Sequence, residues 1–253
     1  MNLSPETLRR RLIDQASQVY RPAGRFAYHF ARGKLSGDPM FVAILERGLI
    51  PDNARILDLG CGQGLLAAWL LAARQCYEAG KWSEAWPAPV HVADIRGVDM
   101  LRSDVRRAQA ALGQAVPGQA IHFEEGDMRT VDFGQADTVV IMDVLHYVDI
   151  PAQNDVLRRV RDALPPHGLL LTRVGDASAG WGFKLSNWVD RTVAFFRGNR
   201  LPPLHCRPLP DWIGVLEALG FTVEPVSMNG DLPFANVMLV ARLGRKSGVA
   251  NVC

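Results

Sequence analysis

The stretch Ile56-Leu57-Asp58-Leu59-Gly60-Cys61-Gly62-Gln63-Gly64 decides how this chain is read. An apolar run broken by a single acid fits a strand buried on both faces. It closes on glycines at alternate positions, which permit positive φ and close backbone approach of a ligand at the strand's carboxyl end. Leu65 to Arg74 follows as a strongly apolar helix, whose free N–H groups favour an anionic group, phosphate or carboxylate. The spacing argues against two common glycine loops. A dinucleotide fingerprint needs its third glycine where Leu65 stands, and a P-loop needs a closing GK[ST] that is absent. Asp58 would repel a pyrophosphate and suit a ligand ammonium. NAD and ATP both fit poorly.

Outward from this turn the texture is βα repetition. Ile95 to Asp99 reads as a second strand, Ser103 to Leu112 as a helix, Ala120 to Glu124 as a third strand and Thr138 to Met142 as a fourth. Asn154 to Leu164 is a helix bounded by Pro165-Pro166, and Leu169 to Val174 is a fifth strand. A helix over Asp211–Leu219 stops at Gly220, and Phe221–Val226 with Asn236–Leu243 form a closing pair of strands. The expected fold is therefore α/β: a Rossmann-like, seven-stranded, mostly parallel sheet with helices on both faces. Residues 1–50 form an N-terminal helical cap, with helices over 4–20 and Pro39 to Arg47 and a break at Tyr20-Arg21-Pro22-Ala23-Gly24. The core domain covers 51–243, and 244–253 reads as a flexible tail. Two insertions, 75–94 and 175–210, exceed what the architecture needs. They are read as lid elements or extra packed helices, the second carrying an apolar helical stripe through Leu185, Trp188, Val189, Thr192 and Phe196.

Composition narrows the class. The 253 residues are 48% hydrophobic, with 28 Lys+Arg, 26 Asp+Glu and four cysteines. Such a chain buries a full core without staples. The longest apolar run, Leu65 to Ala73, falls far short of the ~18 residues a membrane span needs. Cys61, Cys76, Cys206 and Cys253 show no zinc-type spacing, so no metal is expected, and reduced thiols point to a cytoplasmic enzyme. The formal net charge of +2 hides an asymmetry: residues 1–35 carry +5 and the remainder −3. The basic segment is either a docking surface for something anionic, a peripheral membrane surface included, or a solvated helix face.

Four motifs in order, "ILDLGCGQG" at 56–64, "GVDM" at 97–100, "EGDMRTVDF" at 125–133 and "DTVVIMDVLHYV" at 137–148, resemble the class I S-adenosylmethionine-dependent methyltransferases. The resemblance implies S-adenosylmethionine as cofactor, with Asp58 and the backbone of Gly60, Cys61, Gly62 and Gly64 at its methionine moiety. It implies Asp99, followed by Met100, at the ribose hydroxyls, and Asp127 with Met128 at adenine. The end of the fourth strand, Asp143 to His146, would lie under the sulfonium and the substrate. A carboxylate accepts two hydrogen bonds from a vicinal diol, which suits Asp99. The 75–94 insertion leaves Asp94 as the alternative.

A hydroxyl acceptor needs a proton acceptor, and His146 is the candidate general base or orienting residue. Asp143 is the second candidate catalytic residue, more suited to lining the pocket or capping a turn. Tyr28 and His29 are weaker candidates. The fourth-strand motif lacks [DNS]-P-P-[YFW], and the basic segment lacks interleaved aromatics, so DNA base amino groups are unlikely targets. Residues 20–41 look similar to the N-terminus of bacterial methyltransferases of aryl-polyene or xanthomonadin-type pigment pathways. That similarity implies a small aromatic or lipid-like substrate, such as an aryl hydroxyl carried on an acyl carrier protein. The competing readings are methylation of a protein or RNA, and a non-catalytic cofactor-binding subunit.

Overall fold

The computed structural model describes residues 2–113, 120–175, 204–228 and 236–244. Three helices, α1 (Pro5–Gln18), α2 (Arg25–Gly37) and α3 (Pro39–Glu46), precede the sheet. The rest runs β1 (Ala54–Leu59), α4 (Leu65–Glu78), β2 (Val92–Asp99), α5 (Arg102–Leu112), β3 (Ala120–Glu125), β4 (Thr138–Met142), α6 (Ile150–Ala163) and β5 (Leu169–Gly175). It closes with α7 (Leu209–Ala218), β6 (Phe221–Ser227) and β7 (Asn236–Leu243).

The seven strands form one sheet in the order β3-β2-β1-β4-β5-β7-β6, with β7 antiparallel to both neighbours and the other pairings parallel. This is the expected α/β sheet. The chain leaves β1 toward β2 on one side and returns to β4 on the other, so a crevice opens at their carboxyl ends, where open α/β sheets bind ligands. Asp58 of β1 stands between Gly97 of β2 and Val140 of β4, which fixes the register around that crevice.

Helix α4 is buried along ten of its fourteen residues because it is covered twice, by the sheet below and by α1 and α3 above. A helix in that position has no polar face to show. Its Trp69 is fully buried, and the indole N–H donates to the Phe41 carbonyl of α3 at 2.7 Å. The N-terminal helices thus share one core with the sheet.

Three sequence expectations are corrected. First, α2 was not foreseen: the helical pattern broken at residues 20–24 resumes at Arg25, not Pro39. Gly24, Gly33 and Gly37 lower its propensity, and its buried face is the modest stripe Ala27, Ala31, Leu35, so packing against α1 rather than propensity makes it helical. Second, α6 starts at Ile150, where Asp149 accepts from the Ala152 N–H at 2.9 Å and Pro151 fits the first turn. Third, the 75–94 stretch is not a lid. Its first residues finish α4, its last begin β2, and the link 79–91 lies at the amino ends of the strands, opposite the crevice. Trp82 and Trp86 are buried there, the Leu3 N–H donates to the Trp82 carbonyl at 2.9 Å, and the Trp82 indole N–H donates to Pro87 at 3.1 Å. The lid reading of 175–210 rests on residues that lie almost entirely outside the described ones.

Replacing Trp82 with Ala should destabilise the chain by about 3–5 kcal/mol in urea unfolding. A tryptophan belonging to a mobile lid would leave the unfolding midpoint where it was.

Candidate functional site

β1 ends by turning sharply over its neighbours. Gly60 has φ +79°, and a Cβ there would lie 2.6 Å from the Val144 methyls, so backbone conformation and space both demand glycine. The Gly60 and Cys61 N–H groups donate to the Val98 carbonyl, which pins the turn to β2. Cys61 is buried, and burial pushes its thiol far above the ordinary range; it is packing, not a nucleophile. Gly64, at φ +76°, begins α4.

Asp58 sits beneath this turn, 2% exposed, and its Oδ1 has no hydrogen-bond partner. Burial, with the Asp99 charge second, pushes its carboxyl up to about 7. Asp99, at the end of β2, accepts from the Gly62 N–H through Oδ2 and from the Leu101 N–H through Oδ1, both at 2.8 Å. Asp94 pairs with Arg55 and Ala120 at the opposite end of β2, so Asp99 and not Asp94 reaches the crevice. Met100 beside it is 57% exposed, an unusual setting for a large apolar side chain.

Past β3, both oxygens of Asp127 take the Arg129 guanidinium, and Oδ1 also accepts the Arg129 N–H at 2.9 Å. The Arg129 hydrogen bonds hold its carboxyl below the usual range. Asp127 therefore organises its own turn at the rim of the crevice. The Met128 side chain packs in the core with Leu57, Leu59 and Val98, so any part it takes in recognition falls to its main chain.

β4 ends at Asp143, a non-glycine residue at φ +58°. Arg173 of β5 grips it, Nε donating to Oδ1 at 2.6 Å and a terminal nitrogen to Oδ2, while the other terminal nitrogen pairs with Asp38, the N-cap of α3. Lys34 of α2 completes the group, 2.9 Å from Asp38 and 3.2 Å from Asp143. Burial raises the Asp143 carboxyl, but Arg173 and Lys34 outweigh it and leave the group well below the usual range. A carboxylate so held is a poor proton acceptor.

His146 lies in the short 3-10 turn Leu145–Tyr147 and lines a small crevice with Leu145, Arg173, Val174, Gly175, Cys206 and Trp212. Its carbonyl accepts the His205 N–H at 2.8 Å, while its Nε2 is buried without a partner. Burial lowers its pKa, and Arg173 adds to that against the pull of Asp143. The ring is neutral near pH 7 and able to accept a proton. Tyr28 and His29 do not join it: their rings pack on each other, and Tyr28 sits under the Arg21 guanidinium.

Sequence reasoning expected an N-terminal cap but did not single out the residues by which it meets this site. Tyr20, wholly buried, donates its hydroxyl to the Gln63 carbonyl of the glycine turn at 2.8 Å. Lys34 and Asp38 meet the ends of β4 and β5, and Arg107 of α5 stacks on Phe26. Residues 20–38 thus cross the crevice from β1 to β5. One signal was legible, a charged Arg173 in the otherwise uncharged strand Leu-Leu-Leu-Thr-Arg-Val-Gly.

Comparison with known proteins agrees with this geometry. A family model described as a methyltransferase domain matches residues 29–226. A carboxy-S-adenosyl-L-methionine synthase of Chromohalobacter salexigens is 30% identical over 119 residues, 47% of this chain and 39% of that protein. The chain thus matches well under half the length of this curated relative. Magnesium protoporphyrin IX methyltransferase from Synechocystis PCC 6803, solved with bound SAH, superposes with TM-score 0.56 at 18% identity, covering 87% of this chain and 88% of that one. An O-methyltransferase family protein from Burkholderia thailandensis superposes with TM-score 0.56 at 19% identity, covering 89% and 62%. A glycine turn between two strand-end carboxylates, on a sheet of this order, and a family match over most of the sequence lead to one assignment: the chain belongs to the methyltransferase-domain family.

Proposed function

We propose that this chain is an S-adenosylmethionine-dependent methyltransferase acting at oxygen on a small aromatic or lipid-like acceptor. The observation that carries the reading is Asp58, a buried carboxyl with an unpartnered oxygen directly before the glycine turn. A ligand ammonium supplies the missing partner and the charge that favours ionisation. Asp99 presents a carboxylate at the carboxyl end of β2, where it already accepts from the Gly62 and Leu101 N–H groups, and a carboxylate is the acceptor that suits a vicinal diol. The turn through Gly60, Cys61, Gly62 and Gly64, opening α4, suits a carboxylate. Met100 offers an exposed apolar surface to a flat ring, and the Asp127 turn borders it.

When bound, S-adenosylmethionine supplies an electrophilic sulfonium methyl. The protein's share is then positioning and removal of one proton. His146, neutral and with an unpartnered nitrogen, takes that proton from the acceptor hydroxyl. Asp143 holds its place in the ion cluster instead. Leu145, Val174 and Trp212 give the His146 crevice apolar walls, and Phe26 and Phe30 of α2 stack at 6.0 Å in the roof. The apolar character of these side chains supports an aromatic or lipid-like acceptor. An aryl hydroxyl on an acyl carrier protein is the form that residues 20–41 favour. Part of the basic segment is already engaged within the chain, Arg10 with Glu6, Arg32 with Asp14 and Arg9 with the Ser36 carbonyl, which leaves a smaller charged face for a macromolecular substrate.

Isothermal titration with S-adenosylmethionine tests the cofactor half. Below pH 7 Asp58 is protonated and cannot pair with an ammonium, so affinity should rise between pH 6 and pH 8. Asp58→Asn should bind about tenfold or more weakly and lose that pH dependence. Equal affinity in both proteins at every pH would remove Asp58 from the site. For the catalytic half, His146→Ala should cut methyl transfer to a phenolic acceptor by roughly 10²-fold while cofactor affinity holds. Undiminished turnover in that variant would exclude His146 as the base.

A further inference from the structure

Arg173 occupies an unusual position. It is the one charged residue of β5, its side chain is 5% exposed, and its guanidinium divides between two carboxylates from different parts of the chain. One is Asp143, three residues before His146. The other is Asp38, which caps α3 through the Met40 N–H at 3.0 Å and receives Lys34 from the end of α2. Arg173 also lines the same crevice as His146. A planar fork can satisfy two carboxylates at fixed angles, which a lysine ammonium cannot.

We propose that Arg173 is a positioning residue for methyl transfer: by gripping Asp143 on one side and Asp38 on the other, it withholds the Asp143 carboxylate from His146 and locks the N-terminal roof to the floor of the crevice. The proposal rests on His146 being the base. Among the described residues, the groups that face His146 are Asp143 from the end of β4, Arg173 from β5, the adjoining Tyr147 ring at 4.2 Å, and Cys206 beside the His205 N–H. Lys34 reaches Asp143 from α2, and Arg207 turns away to Gln153 and Asn154. Among these, Asp143 alone would hold a proton on His146, and Arg173 is what occupies it.

The experiment is a histidine-ring NMR titration of the full chain without added ligand, the His146 signal being identified by its loss in His146→Gln. Amide hydrogen exchange over residues 25–37 runs alongside. Arg173→Met should move the His146 midpoint upward by about one pH unit. Arg173→Lys should restore most of that shift, because the charge returns. Exchange in α2 should quicken in Arg173→Met and stay slower in Arg173→Lys. Asp143→Asn, which removes the competing anion, should move the midpoint down. A folded Arg173→Met protein with an unmoved His146 midpoint overturns the proposal. Should that variant not fold, Arg173→Gln takes its place, and an unmoved His146 midpoint there overturns the proposal equally. Failure of the base assignment would look different: His146→Ala would turn over normally while the titration shifts remained.

Discussion

Asp58 is a buried carboxyl group to whose Oδ1 none of the described residues offers a hydrogen-bond donor. It is buried at the end of the central strand, a second carboxylate stands at the end of the next strand, and one of its oxygens has no partner. Leaving a buried polar atom unsatisfied costs roughly 1–3 kcal/mol, more when charged. Structural need does not account for such a group, since a neutral apolar residue would pack the strand at less cost. A cationic ligand does account for it. The glycines that follow make the same point sterically, because Gly60 leaves no room for a Cβ between the turn and Val144.

The N-terminal helices are part of this site and not an appendage to it. Tyr20 bonds to the glycine turn, Phe26 lies under Arg107, and Lys34 and Asp38 close the ion cluster with Asp143 and Arg173. The cluster balances two cations against two anions, which makes burial tolerable. It also makes the cluster sensitive, since removing one member strands its partners. The roof over the crevice, the floor at the end of β4 and the charge around His146 therefore depend on a shared set of contacts.

What could be read from the sequence was local. The parallel strands, the glycine turn and the order of the acids at 58, 99 and 127 follow from runs of adjacent residues, and β7 spans Asn236–Leu243 as read. Asp99 is preferred to Asp94 because Val98-Asp99-Met100 runs straight into a helix, and the two acids stand at opposite ends of β2. What could not be read was either propensity overridden by packing or contact across long separations. Helix α2 carries glycines at 33 and 37 and a shallow apolar stripe, so only its neighbours reveal it. Arg173 meets Asp38 across 135 positions, and Lys34 meets Asp143 across 109. No window of sequence contains such pairs. The 75–94 stretch misled for a related reason: a long connection suits a lid and an added piece of the core equally well, and Trp82 and Trp86 belong to the core shared with the N-terminal helices.

On the proposed reading, the glycine turn and the two strand-end carboxylates hold S-adenosylmethionine beneath a roof made by residues 20–38. A crystal structure of the full chain with S-adenosylhomocysteine tests it most directly. The amino group should lie on Asp58, the ribose hydroxyls on Asp99 and the sulfur toward the crevice lined by His146. A ligand bound elsewhere, with Asp58 still lacking a partner and His146 turned from the sulfur, would contradict it.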